Sequence, residues 1–136
     1  MVKFLWAWML YTWGGLHRYF GNKNSMSREH AHAARYFARA YKVDPTFREA
    51  RLQRAILLGR ELGRLDEALA EFDALLADDA KYKAALLNRG LLLQGNGRFQ
   101  EALVDIETYL QLPEPDSFQE EAIRIAALLR EIINEG

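Results

Sequence analysis

The stretch Gly63-Arg64-Leu65-Asp66-Glu67-Ala68-Leu69 constrains this chain most, because it returns 34 residues later as Gly97-Arg98-Phe99-Gln100-Glu101-Ala102-Leu103. In both copies a glycine suited to ending one helix is followed, two residues on, by an apolar residue that opens the next. An acidic residue falls in that next helix's first turn, where the N-terminal partial positive charge favours it. Ala-Leu then begins a stripe for burial. A unit that repeats at about 34 residues marks an array of stacked helical units.

Half of the 136 residues are apolar, enough for one domain with a continuous core and too many for a disordered chain. The chain has no cysteine, so it has no disulfide framework, no thiolate metal site and no cysteine nucleophile, which fits a reducing, cytoplasmic setting. The net charge of −1 conceals an asymmetry: residues 1–64 carry 12 Lys/Arg against 4 Asp/Glu, and residues 65–136 carry 6 against 15. Surfaces of opposite sign would steer an anionic partner to one end or drive head-to-tail association into a homo-oligomer. Ordinary solvated helix faces explain the split equally well.

Residues 1–20 hold all three tryptophans, Trp6, Trp8 and Trp13, in a run rich in Phe, Leu and Met. The run is too short and too aromatic for a membrane span, and no small-residue cleavage site of a secretory signal follows it. Leu5, Met9, Trp13, Leu16 and Phe20 fall at helical spacing, so the pattern predicts a helix over 3–20, apolar on most of its circumference. The Gly14-Gly15 pair costs about 2 kcal/mol of helix propensity and marks a place for a kink. Such a helix must be covered. Three readings are open: it is the first helix of the array with one face in the core, it is a dimer or partner surface, or it is a shallow peripheral membrane anchor. In the last two, Phe4, Trp6, Trp8, Tyr11 and Trp13 form the docking surface. A polar face rich in Lys/Arg, which a membrane anchor would use, is missing from this helix itself.

Further along, Gly21 to Met26 reads as a loop, and Ser27 caps a helix from Arg28 to about Lys42 with Ala33, Ala34, Phe37, Ala40 and Tyr41 inward. Val43-Asp44-Pro45-Thr46 is a turn. A helix over 46–62 follows, with Arg48, Arg51 and Arg54 on one basic side and Arg60 near its end. The helix over 65–78 buries Ala68, Leu69, Phe72, Leu75 and Leu76. A second pair spans 80–95, with Ala85, Leu86, Gly90 and Leu93 inward, and 98–112, with Ala102, Leu103, Ile106, Tyr109 and Leu110 inward. Pro113 and Pro115 break the chain, Asp116 or Ser117 caps the last helix, and Phe118, Ala122, Ile125, Leu129, Ile132 and Ile133 make its stripe.

These residues resemble the tetratricopeptide repeat (TPR), a helix–turn–helix unit of 34 residues. The first repeat shows Phe20-Gly21, then Ala33, Phe37, Ala40 and Pro45. The second supplies Ala55, Ala68, Phe72 and Leu75, and the third Gly90, Ala102, Ile106, Tyr109 and Pro113. Ala55 to Ala68 is one residue longer than the equivalent step in the other repeats, which places a longer turn near Gly59–Gly63. The resemblance implies an all-α fold: a right-handed superhelical array of antiparallel helix pairs, about seven helices in a single domain. Residues 1–20 are then the aromatic N-terminal helix, 14–116 three repeats and 117–134 a capping helix. Small residues in the first helix of a pair are expected to face alanine in the second.

The resemblance also implies a function. The first helices of such repeats line a concave groove that holds a protein or peptide segment. In repeat phase that groove takes in Arg18, Asn22, Leu52, Gln53, Ile56, Arg60, Leu87, Asn88, Leu91 and Gln94. Some family members hold a partner's terminal carboxylate with Lys/Arg and Asn at these positions. Arg18 and Asn22 match the first part of that clamp, while Ala84 and Asn88 stand where its later basic residues would be. Chemistry is not indicated. No phosphate-cradling loop is present, and His17 has no nucleophile pattern around it. His30 and His32 sit two apart on a helix and face different sides, so no metal site is expected. Asp66-Glu67 and Glu120-Glu121 are solvated faces, and aromatics do not interleave with basic residues as in nucleic-acid modules. The chain reads as a non-enzymatic interaction module or scaffold without cofactor, metal or nucleic-acid partner. It is cytoplasmic, and peripheral to a membrane if the N-terminal helix docks there.

Overall fold

Three of the helices have thirteen residues, but the first two are longer, and that difference shapes the N-terminal half. A computed structural model describes residues 2–24 and 27–135 of the chain, with side chains for 2–19 and 28–135. Among them lie seven α-helices and no strand: α1 Val2–Asn24, α2 Ser27–Val43, α3 Arg48–Arg60, α4 Leu65–Asp78, α5 Lys83–Gly95, α6 Phe99–Gln111 and α7 Gln119–Glu135. The contacts group into two compact units that meet within α4, one up to Leu75 and one from Leu76 on.

In the first unit α1 packs on α2, and α2 on α3. Helix α1 runs unbroken through Gly14-Gly15 and on to Asn24, so the expected loop from Gly21 is helical as far as Asn24, and Ser25-Met26 lie outside the described residues. The reason the helix tolerates Gly14 is packing: a Cβ there would stand 2.7 Å from ring carbons of Phe37. The missing side chain lets the two backbones close on a fully buried aromatic ring, which offsets the low helix propensity. Tyr11 completes this layer, its ring 5.4 Å from Phe37 and 5.0 Å from Phe47. The buried face of α1 is therefore Ala7, Leu10 and Gly14, joined by Ala33, Ala34, Phe37, Ala40, Ala50 and Leu57. The stripe of Leu5, Met9, Trp13 and Leu16 points the other way and is exposed; Phe20 lies outside the described side chains.

Gly90 plays the corresponding part in the second unit, where an added Cβ would meet Ile106 at 2.8 Å. In both pairs the glycine thus lies under a large side chain of the next helix rather than under alanine. From Gly90 to Ala102 is 12 residues, but from Gly14 to Ala33 is 19. The difference amounts to about two helical turns, carried by the lengths of α1 and α2. The match at Phe20-Gly21 lies outside the described side chains.

The turns follow their local chemistry. Gly97 adopts φ +77°, with Arg98 N–H donating to the Leu93 carbonyl and Gly97 N–H to that of Gln94, the Schellman closure. The equivalent turn at Gly63 (φ +64°) holds one residue more, and its closing bond runs from Arg64 N–H to the carbonyl of Leu58. The longer turn expected there is thus present. Helices α3 and α5 begin at Arg48 and Lys83, later than periodicity suggested. Asp44 and Asp79 accept backbone N–H bonds from Thr46 and Lys81 and hold each entry as a turn.

In the second unit α5 packs on α6 and α6 on α7 around Ala85, Leu86, Leu93, Ala102, Ile106 and Tyr109. Helix α7 buries Ala122, Ala126 and Leu129, whereas Phe118, expected inward, is exposed. Asp116 rather than Ser117 makes the entry to α7, accepting the Phe118 N–H at 3.0 Å.

Candidate functional site

Arg18 on α1 and Gln53 on α3 are brought together by the packing of the first unit: the Arg18 guanidinium donates to the Gln53 side-chain carbonyl. Partial burial lowers the Arg18 pKa, and the neighbouring charge of Arg60 lowers it further, against Glu61 and Tyr11. Arg60 is exposed at the end of α3. Two guanidiniums whose fields reach one another, one of them fixed by an amide, suit a carboxylate. Asn22, the other residue of the expected clamp, lies outside the described side chains. Leu52 and Ile56, read from the sequence as groove walls, are buried instead, because the α3 stripe they share with Ala55 is core.

The basic side expected along α3 is not a free face. Arg51 Nε donates to Glu71 at 2.7 Å and its Nη1 to the Tyr41 hydroxyl at 2.9 Å, while Arg54 pairs with Glu71 at 3.1 Å. Burial acts to lower the Arg51 pKa, but Glu71 and Tyr41 outweigh it and the value is raised. With Ala38 these four side chains line a cavity of about 150 Å³. Arg51 and Arg54 are thereby accounted for by a carboxylate on α4.

In the second unit Leu87 is buried, Asn88 is half-buried and donates to the Ala84 carbonyl at 2.7 Å, Leu91 is exposed and Gln94 is half-buried. Asn88, Leu91 and Gln94 recur at intervals of three and share a side of α5. A neighbouring feature escaped the sequence reading. Asp105, on the buried side of α6, accepts two bonds of 2.7 Å from Arg89. A carboxylate one turn from Glu101 reads as surface until its partner on another helix is seen.

The histidines diverge as their spacing implied. His32 lies against His17, with ring centroids 5.5 Å apart, while buried His30 turns toward Glu61 at 3.7 Å. Of the aromatic residues assigned to an N-terminal docking surface, Phe4, Trp6, Trp8 and Trp13 are exposed. Tyr11 is not among them, since its ring fills the layer between Phe37 and Phe47.

No family model matches the sequence, and no curated protein matches it. Among solved structures, the Arabidopsis OM64 TPR domain superposes with a TM-score of 0.74 at 19% identity, covering 95% of this chain and 98% of that one. The first TPR of Spaghetti (RPAP3), solved bound to the HSP90 peptide SRMEEVD, gives 0.68 at 19% identity, covering 91% and 95%. Seven helices among the described residues, with glycine turns 34 residues apart at Gly63 and Gly97, that match these domains along nearly the whole chain identify the fold as that of the tetratricopeptide repeat.

Proposed function

We propose that the chain is a non-catalytic binding module that takes a short protein segment, with an acidic or C-terminal carboxylate seated at Arg18 and Arg60 of the first unit. The observation that carries this reading is the Arg18–Gln53 contact, with the positive charge of Arg60 acting on Arg18. A guanidinium already oriented by an amide loses less freedom when a carboxylate arrives. The likeness to a domain solved with a peptide, SRMEEVD, supports a ligand of that class.

Fluorescence polarisation with labelled SRMEEVD, as the free acid and as the C-terminal amide, tests this. A charge-assisted hydrogen bond is worth about 1.5–3 kcal/mol, so Arg18→Ala is expected to weaken binding of the free acid by roughly tenfold or more. Arg60→Ala should weaken it less, and the wild-type protein should prefer the free acid to the amide. Equal binding of acid and amide, unaltered by Arg18→Ala, would overturn the reading.

A further inference from the structure

Helix α1 gives Ala7, Leu10, Tyr11 and Gly14 to the core side and leaves most of its large side chains outside. Phe4, Leu5, Trp6, Trp8, Trp13 and Leu16 are each 43–58% exposed. This face has no acidic residue anywhere along α1. The basic flank absent from α1 stands on its neighbour. Arg28, Arg35, Arg39 and Lys42 of α2 follow at steps of seven, four and three, which puts them on one stripe, and all four are exposed. The stripe borders the apolar face directly: the Trp13 ring stacks on Tyr36 at 6.5 Å, and the Arg39 guanidinium lies over the same Tyr36 at 5.6 Å.

We propose that the α1–α2 hairpin docks in the plane of an anionic lipid bilayer, with the aromatic face of α1 at the headgroup level and the α2 stripe against the negative surface. Tryptophan is favoured at that depth, and binding there grows with buried apolar area and with basic residues near the surface. No helix among the described residues is long and apolar enough to cross, so the hairpin lies on the membrane. Charge selects this occupant over a two-fold dimer formed through this same face. Residues 1–43 carry seven Lys/Arg and one Asp/Glu, and that one, Glu29, is held by His17 at 2.6 Å. Two such hairpins face to face would set like charge against like, whereas a bilayer containing phosphatidylserine supplies the opposite sign.

The chain contains its own probe, because all three tryptophans are on this face. The full chain is mixed with phosphatidylcholine vesicles, either pure or with about 30% phosphatidylserine, and followed by flotation and tryptophan emission. Flotation and a blue shift are expected with the anionic vesicles only. The triple variant Arg35→Glu/Arg39→Glu/Lys42→Glu should bind at least about tenfold more weakly, and Leu5→Asp/Trp8→Asp should not float. All five positions are exposed, so far-UV circular dichroism should stay unchanged. Were the triple variant to misfold, a salt titration of the wild type serves instead, with bound protein released as ionic strength rises. The triple variant should still bind the SRMEEVD peptide as the wild type does, which separates this inference from the peptide site. Three results would each overturn the proposal: equal flotation with neutral vesicles, no flotation with either, or a blue shift without lipid that accompanies a doubled sedimentation mass.

Discussion

Gly14 and Gly15 are adjacent in sequence and opposite in consequence. A Cβ at Gly14 meets the buried Phe37 ring at 2.7 Å, while at Gly15 nothing lies within 4 Å. Replacing helical glycine by alanine gains about 1 kcal/mol of propensity, but forcing a buried ring aside costs about 1–3 kcal/mol. Gly15→Ala is therefore expected to raise the urea midpoint, and Gly14→Ala to lower it or at best leave it level. A Gly14→Ala gain equal to that of Gly15→Ala would refute the close packing. At this scale the sequence was legible where a residue type has one use. Ala33, Phe37, Ala68, Phe72, Ala102 and Ile106 were expected inside and are buried. It was not legible where the outcome depends on a distant partner. Asp105 is buried against Arg89, and Tyr11 is partly covered by two phenylalanines, and no local pattern announces either.

At the scale of elements, the junction of α6 and α7 shows how a loop side chain sets a helix. Asp116 accepts the Tyr109 hydroxyl and the Phe118 N–H, while Lys83 reaches the Glu114 carbonyl at 2.8 Å and lies over the Tyr109 ring. Burial, then the bond to Asp116, raises the Tyr109 pKa; the Tyr109 hydroxyl in turn holds the Asp116 carboxyl below its ordinary value. Asp116→Ala removes the entry bond and leaves a buried hydroxyl without its acceptor. A lost cap costs about 1 kcal/mol. Hydrogen exchange is expected to quicken in α7 and the end of α6 and to stay as it was in α1–α3; uniform quickening along the chain would contradict this local role. Helix existence was readable from period and glycine throughout, and α4 from Leu65 to Asp78 matched to the residue. Helix starts were less so. The aspartates that delay α3 and α5 act through turns that periodicity does not weigh, and the end of α1 was hidden by polar residues that continue a helix as readily as they end one. Of the candidate site, repeat phase put Arg18 and Gln53 on one surface and they are in contact, while Leu52, Ile56 and Leu87, assigned to the same surface, are buried, because repeat phase alone does not tell a groove wall from the core beneath it.

Across the whole molecule, the first unit carries 12 Lys/Arg against 8 Asp/Glu and the second 6 against 11, so each bears net charge of opposite sign. Both depend on ionised carboxylates. Glu29, bonded to His17, Asp44, bonded to Thr46, Glu101, bonded to Arg98, and Asp116, bonded to Tyr109, all lie below their ordinary values of 4.5 for Glu and 3.8 for Asp. A folded value below the unfolded one means stability that is present above the unfolded value and lost as pH falls through the folded one. Tyr11 and Tyr109, raised chiefly by burial, act in the opposite direction: their contribution is full below pH 10.0 and lost as pH rises beyond it. Urea midpoints measured against pH should fall on acidification below about 4 and again above about 10. A midpoint that rose between about pH 4 and pH 3 would exclude the carboxylate contribution.

The two glycine turns have a bearing on how such a chain can change in length. The joint at Gly63 has absorbed an extra residue without disturbing the stripe of α4, since its closing bond simply spans one position more than the joint at Gly97. The extra residue at this joint is taken up in the hinge between rods and leaves the rod that follows in phase. A protein built this way can therefore gain a residue at such a joint while the inward-facing side chains of the next helix keep their spacing.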